Sequence, residues 1–162
     1  MNFTILELPY LVLLYNIALG ILGLIAILFF HGSAINHVLT RFKRLTKANL
    51  ALAQYNRVFF HFYLAFVYIA LIHIVEILMW AFFILRMDLI EKPVDAILFS
   101  GSCYTTVGFI SDVLPDGWKS LAFFIAFTGL FCLAWTTSIM IGMTNTYQNA
   151  WDQKYHTGEG EI

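Results

Sequence analysis

Four consecutive residues, Thr105, Thr106, Val107 and Gly108, carry the first chemistry that stands out in this sequence. They offer a row of backbone carbonyls, threonine hydroxyls beside them and a glycine at the end. Such oxygens suit a monovalent cation, because together they can replace its hydration shell. Gly108 permits a backbone conformation that a side chain forbids. A second constellation is His73 and Glu76, three residues apart inside an apolar run and so on one helical face, with Trp80 continuing the stripe. Ionisable groups in such runs are costly and face protein or water. Two readings stand for this pair: a proton-sensitive strut reaching the loop region, or a fixed hydrogen-bonded lock between helices. Neither residue is expected to touch a bound cation.

The elements that must position these groups are membrane elements. Of 162 residues, 60% are apolar and 12% charged, where soluble domains carry about 25% charge. Residues 8–30, 58–85 and 121–143 are each long enough for a span, which takes about 20 apolar residues. The first run has Glu7 before it and no basic flank, so it reads as a retained span rather than a cleaved leader. Cys103 and Cys132 form no CxxC pair and read as buried free thiols. There is no nucleophile–base pair, phosphate loop or metal cluster, so the expectation is no enzyme, no catalytic residue, no metal and no cofactor. A net charge of −1 gives no bulk attraction to nucleic acid.

Charge placement gives an orientation. Between the first two spans lie Arg41, Lys43, Arg44, Lys47 and Arg57 and no acid, which reads as cytoplasmic. Between the second and third lie three basic and five acidic residues, which suits the outside. The N-terminus is then external and the C-terminus cytoplasmic, with residues 148–162 a cytoplasmic tail and its "TGEGEI" end poorly ordered. Ile35, Val38, Leu39, Phe42 and Leu45 recur at helical spacing within residues 32–57. This segment reads as a basic amphipathic helix on the inner interface, apolar side toward acyl chains, with a break at Gly32 and Ser33. The alternative is that the helix of residues 1–31 simply continues.

Residues 93–106 are apolar but too short to span. Pro93 suits a first helical turn and Asp95 the positive end of the helix dipole. The stretch reads as a helix, then extended chain at 105–107, dipping into the membrane and out. Non-helical backbone at that depth must be covered by protein or line water, which several chains around an axis would achieve. The helix's negative end would then favour a cation.

The blocks "LIHIVEILMWAFF", "LFSGSCYTTVGF", "LPDGWKSL" and "GLFCLAWTTS" resemble, in order and spacing, those of small bacterial ion-channel-like proteins of the tetrameric potassium-channel superfamily. The resemblance covers about half the chain. It implies an all-α membrane protein: three transmembrane helices, a re-entrant pore helix and a filter loop, four-fold in assembly. In that reading residues 58–147 are the pore core, with outer helix 58–86, pore helix 93–104, filter 105–111 and inner helix 118–147. Thr105, Thr106, Val107, Gly108 and Phe109 are the ion-binding positions by the resemblance. The family pattern, Thr-Val-Gly-Tyr-Gly-Asp, breaks at Ile110, followed by Ser111 and Asp112 as an altered outer end. A β-branched residue at positive φ is an outlier, so Ile110 is expected to reshape the outer filter. The outcome is low K⁺/Na⁺ selectivity, sufficiency of one glycine as in related potassium transporters, or a closed pore.

Gly129, Leu133, Thr136 and Met140, with Met143 or Thr144, share a face of the third span. They are expected to line a cavity, with Gly129 a hinge or a close-packing residue. Thr136 and Thr137 offer hydroxyls to an ion or to their own helix. The function implied is a passive pore for monovalent cations, K⁺ with Na⁺ open, in a bacterial inner membrane, with lipid and identical copies as partners. The alternative is a non-conducting subunit that structures or regulates a larger membrane complex. A third class, bis-histidine haem binding by His31 and His61, has no supporting CxxCH motif.

Overall fold

The computed structural model describes residues 4–108, 113–115 and 117–155, with side chains from Tyr10 onward. Four helices follow in order: α1 (Thr4–Ala51), α2 (Tyr55–Arg86), α3 (Pro93–Tyr104) and α4 (Ser120–Tyr155). The described residues contain no strand. α1, α2 and α4 are long and apolar enough to cross a membrane.

Local chemistry explains these boundaries. α2 contains neither glycine nor proline and ends with Arg86 in its last turn, where a cation meets the negative end of the helix dipole. Asp88 then takes the left-handed conformation (φ 52°), which aspartate tolerates better than most residues. α3 begins with Pro93 in its first turn and Asp95 close behind, where the missing proline N–H has no intrahelical partner to lose. Its 12 residues rise about 18 Å, far short of a bilayer core.

The chain divides into two compact units. One comprises Met1–His31 with Ile74–Leu133. Its core holds Ile27, Trp80, Ile84, Phe99, Tyr104, Leu121 and Ile125. α1 turns Asn16, Gly20, Ile27 and His31 inward, at intervals of four and seven residues that keep one helical face. A Cβ at Gly20 would strike the Phe124 ring, and one at Gly23 would sit 2.7 Å from Trp80 Cη2. Small residues let helices approach closely, which matters in lipid, where burial between helices has no water to escape. Asn16 Nδ2 donates to the Gly117 carbonyl at 2.8 Å, tying α1 to the turn before α4.

The other unit comprises Gly32–His73 with Ala134–Ile162. Phe42, Phe62, Ala65, Ile69 and Met143 form its core. Phe62, Tyr147 and Trp151 continue as an aromatic ladder, with Phe62 and Tyr147 rings 4.6 Å apart and Tyr147 and Trp151 rings 6.1 Å apart. Lys154 Nζ donates to Asn56 Oδ1 at 2.7 Å.

Two expectations change here. The helix break at Gly32 and Ser33 does not occur: α1 is one helix through both residues. Gly32 serves close packing instead, since a Cβ there would lie 2.7 Å from Trp135 Cη2. The apolar stripe of residues 35–45 does not face acyl chains as a separate surface helix. Phe42, Val38 and Leu39 pack into the second unit's own core. The chain also stays helical to Tyr155, with Ala150 buried; residues 157–162 lie outside the described residues.

Gly23→Leu is expected to lower stability by roughly 1–3 kcal/mol, because fully buried Trp80 cannot move aside. Thermal unfolding of the purified chain in detergent checks this; an unchanged midpoint would contradict the packing described.

Candidate functional site

α3 places its C-terminal end at the centre of the first unit. Tyr104, its last residue, is buried together with Cys103, Ser102 and Ser100. Residues 105–108 follow at once and are all exposed on the chain's own surface, Val107 by 66%. The backbone does not run extended there, as expected from its β-branched residues, but curls back on the helix. Thr105 N–H donates to Gly101 O (3.0 Å), Thr106 N–H to Cys103 O (2.9 Å) and Gly108 N–H to Ser102 O (3.2 Å). These bonds satisfy carbonyls that a helix C-terminus leaves open. The Thr105 hydroxyl also donates to Gly101 O, at 2.7 Å.

Thr106 (φ 59°) and Gly108 (φ 65°) are left-handed, whereas Thr105 (φ −84°) and Val107 are not. Glycine enters this region freely. A β-branched threonine does so against a steric cost of about 1–2 kcal/mol, so strain is held in this loop. Thr106 also shows that β-branching alone does not bar a residue of this loop from positive φ, which weakens the steric case made for Ile110. Phe109, Ile110, Ser111 and Asp112 lie outside the described residues.

Two contacts fix Tyr104 and hence the start of the loop. Its hydroxyl donates to Glu76 Oε2. Glu76 Oε1 lies 2.7 Å from His31 Nδ1, and both side chains are fully buried. A buried carboxylate is tolerable only when its oxygens are answered by donors. On the other side, Gly129 of α4 meets the Tyr104 carbonyl so closely that an added Cβ would collide with it. Gly129 is therefore a close-approach residue in this structure, one of the two roles its sequence position allowed.

The remaining sequence-derived residues are placed as follows. Glu76 reaches the end of α3, while His73 Nε2 lies 3.1 Å from Thr136 Oγ1. Thr136 and Met143 are buried by the chain itself and Met140 is half-buried. The face expected to line a cavity is thus largely covered, and only Leu133 of the four is open, at 43%. Thr137 and Ile141, one position further round, are exposed, as is Leu130. The cause is specific: Gly129 is committed to Tyr104 and Thr136 to His73. Cys103 and Cys132 are buried free thiols.

Sequence reasoning did not find His31 as the partner of Glu76, nor Tyr104 as the residue joining both to the loop. The available signal was the cost of isolation: a lone carboxylate in one span requires a donor from another. Gly129→Ala is expected to destabilise the fold by about 1–3 kcal/mol, since a backbone must shift to admit the methyl. Gly142→Ala, with nothing within 4 Å, is expected to stabilise α4 by up to about 1 kcal/mol. Denaturation of both variants in detergent checks the contrast; equal effects would contradict it.

No curated protein and no solved structure matches the chain. The family model described as ion channel matches residues 58–145, a stretch that takes in most of α2, all of α3, the residue 105–108 loop and most of α4. A buried helix end, a strained carbonyl-bearing loop and two flanking apolar helices thus lie within one family's pattern, and the chain belongs to the ion channel family.

Proposed function

We propose that the chain is one subunit of a potassium-channel-like pore that passes monovalent cations passively, with residues 105–108 at the axis of four copies. The observation that carries this reading is the exposure of those residues immediately after a buried helix end. In a membrane, exposed non-helical backbone must be covered by protein or line water. Further copies around an axis meet both needs, and the carbonyls then face a narrow water-filled path. The C-terminal end of α3 adds partial negative charge toward the same point.

The orientation follows from charge: the basic stretch from Arg41 to Arg57 on the cytoplasmic side and residues 86–119 outside. K⁺ is the favoured ion, with selectivity set by the number and field of carbonyl sites. Ile110 stands where the superfamily pattern has its second glycine, and we assign to that exchange any loss of the outer carbonyl sites.

The test is electrical. Wild-type protein in planar bilayers is expected to pass monovalent cation current. Gly108→Ala is expected to cut that current at least tenfold, because alanine enters the left-handed region at a cost of about 1–2 kcal/mol. Within a single copy the substitution meets no steric contact, since nothing lies within 4 Å of an added Cβ. Unchanged current in this variant would overturn the placement of the loop at the axis. Absence of any wild-type current, with assembly intact, would favour a non-conducting subunit. Reversal potentials in K⁺/Na⁺ gradients are expected to move toward the K⁺ limit in Ile110→Gly; an unmoved potential removes Ile110 from the account of selectivity.

A further inference from the structure

The second unit holds a groove of about 180 Å³ between α1 and α2, remote in sequence from the loop. Val38 and Phe42 of α1 and Leu64 of α2 give it an apolar floor, and His37, Arg41 and His61 line it with polar groups. Arg41 is exposed and has no ion-pair partner among the described residues. His61 Nδ1 is shut off from solvent yet has no hydrogen-bond partner. The unit is strongly one-signed: Arg41, Lys43, Arg44, Lys47, Arg57 and Lys154 stand against Asp152 among its described residues.

We infer that this groove binds an anionic phospholipid. One acyl segment lies over Val38, Phe42 and Leu64, and the phosphodiester accepts hydrogen bonds from Arg41 and from an imidazole N–H of His37, both exposed at the groove. The combination selects this occupant. A soluble anion would leave the apolar floor uncovered, and a zwitterionic lipid would bring its own cation toward Arg41. A basic, acid-free stretch joining two spans is also the side of a protein that meets the anionic leaflet. Arginine matches a phosphate with a planar fork of donors, which lysine does not. The groove takes part of one chain, so the rest of the lipid stays in the bilayer. The inference is independent of ion conduction and stands whether or not the pore is open.

Native mass spectrometry of the full-length chain in detergent, titrated with dioleoylphosphatidylglycerol or dioleoylphosphatidylcholine, tests it. Wild type is expected to retain the anionic lipid preferentially. Arg41→Ala is expected to weaken that retention about fivefold, the effect of one basic residue at an anionic membrane surface. Arg44→Ala, exposed but outside the groove, is expected to leave it unchanged. Leu64→Phe, which fills the floor without removing charge, is expected to lower retention of the lipid while helicity by circular dichroism holds. Equal losses in Arg41→Ala and Arg44→Ala would overturn the site in favour of diffuse attraction. So would equal retention of both lipids, displacement by millimolar inorganic phosphate, or occupation of the face by a second copy with no lipid retained.

Discussion

A carboxylate with no solvent exposure, in the middle of a helix built to cross a membrane, constrains everything around it. Moving such a charge out of water costs several kcal/mol after relaxation. Glu76 is tolerable because α1 brings His31 to one oxygen and α3 brings the Tyr104 hydroxyl to the other. That requirement sets the register of three helices at one depth. α4 joins through a different kind of constraint, the bare backbone of Gly129 against the Tyr104 carbonyl. Two atoms of one tyrosine, its hydroxyl and its carbonyl, therefore tie α3 to α2 and α4, and Glu76 carries the link on to His31 of α1. The first helix, which lies outside the stretch that matches the ion channel family, gains a definite structural role from His31.

The loop inherits its geometry from that anchor. Gly101, Ser102 and Cys103 carbonyls accept bonds from the chain that follows them. They are therefore committed to closing the helix, and only the carbonyls beyond them are left for the role proposed above. Holding Thr106 left-handed is unfavourable taken alone. It persists because three backbone bonds and a buried tyrosine over-determine the position, a pattern common where function requires an unusual backbone.

What was legible in the sequence was local. Three apolar runs gave three long helices, because span length is read residue by residue. Pro93 and Asp95 marked the start of α3 by their own chemistry. What was not legible depended on neighbours. Helical periodicity gives a face but not what it meets, so Thr136 was assigned to a cavity when His73 occupies its hydroxyl. Gly32 read as a break because glycine weakens helices by about 1 kcal/mol. A tryptophan ring against its bare backbone reverses the sense of that signal. His31 read as the boundary of the first span, whereas α1 runs on to Ala51 and buries it mid-helix against Glu76.

The exposure of Val107 and its neighbours has a consequence for how such a chain comes to exist in a bilayer. A single copy in hydrocarbon would present carbonyl groups with neither water nor protein to receive them. In the assembly proposed above, its free energy would depend on how many other copies share the same lipid, by mass action. Dilution in lipid would then act on such an assembly as a denaturant acts on a soluble fold, and the density of the protein in its membrane would become a variable of folding.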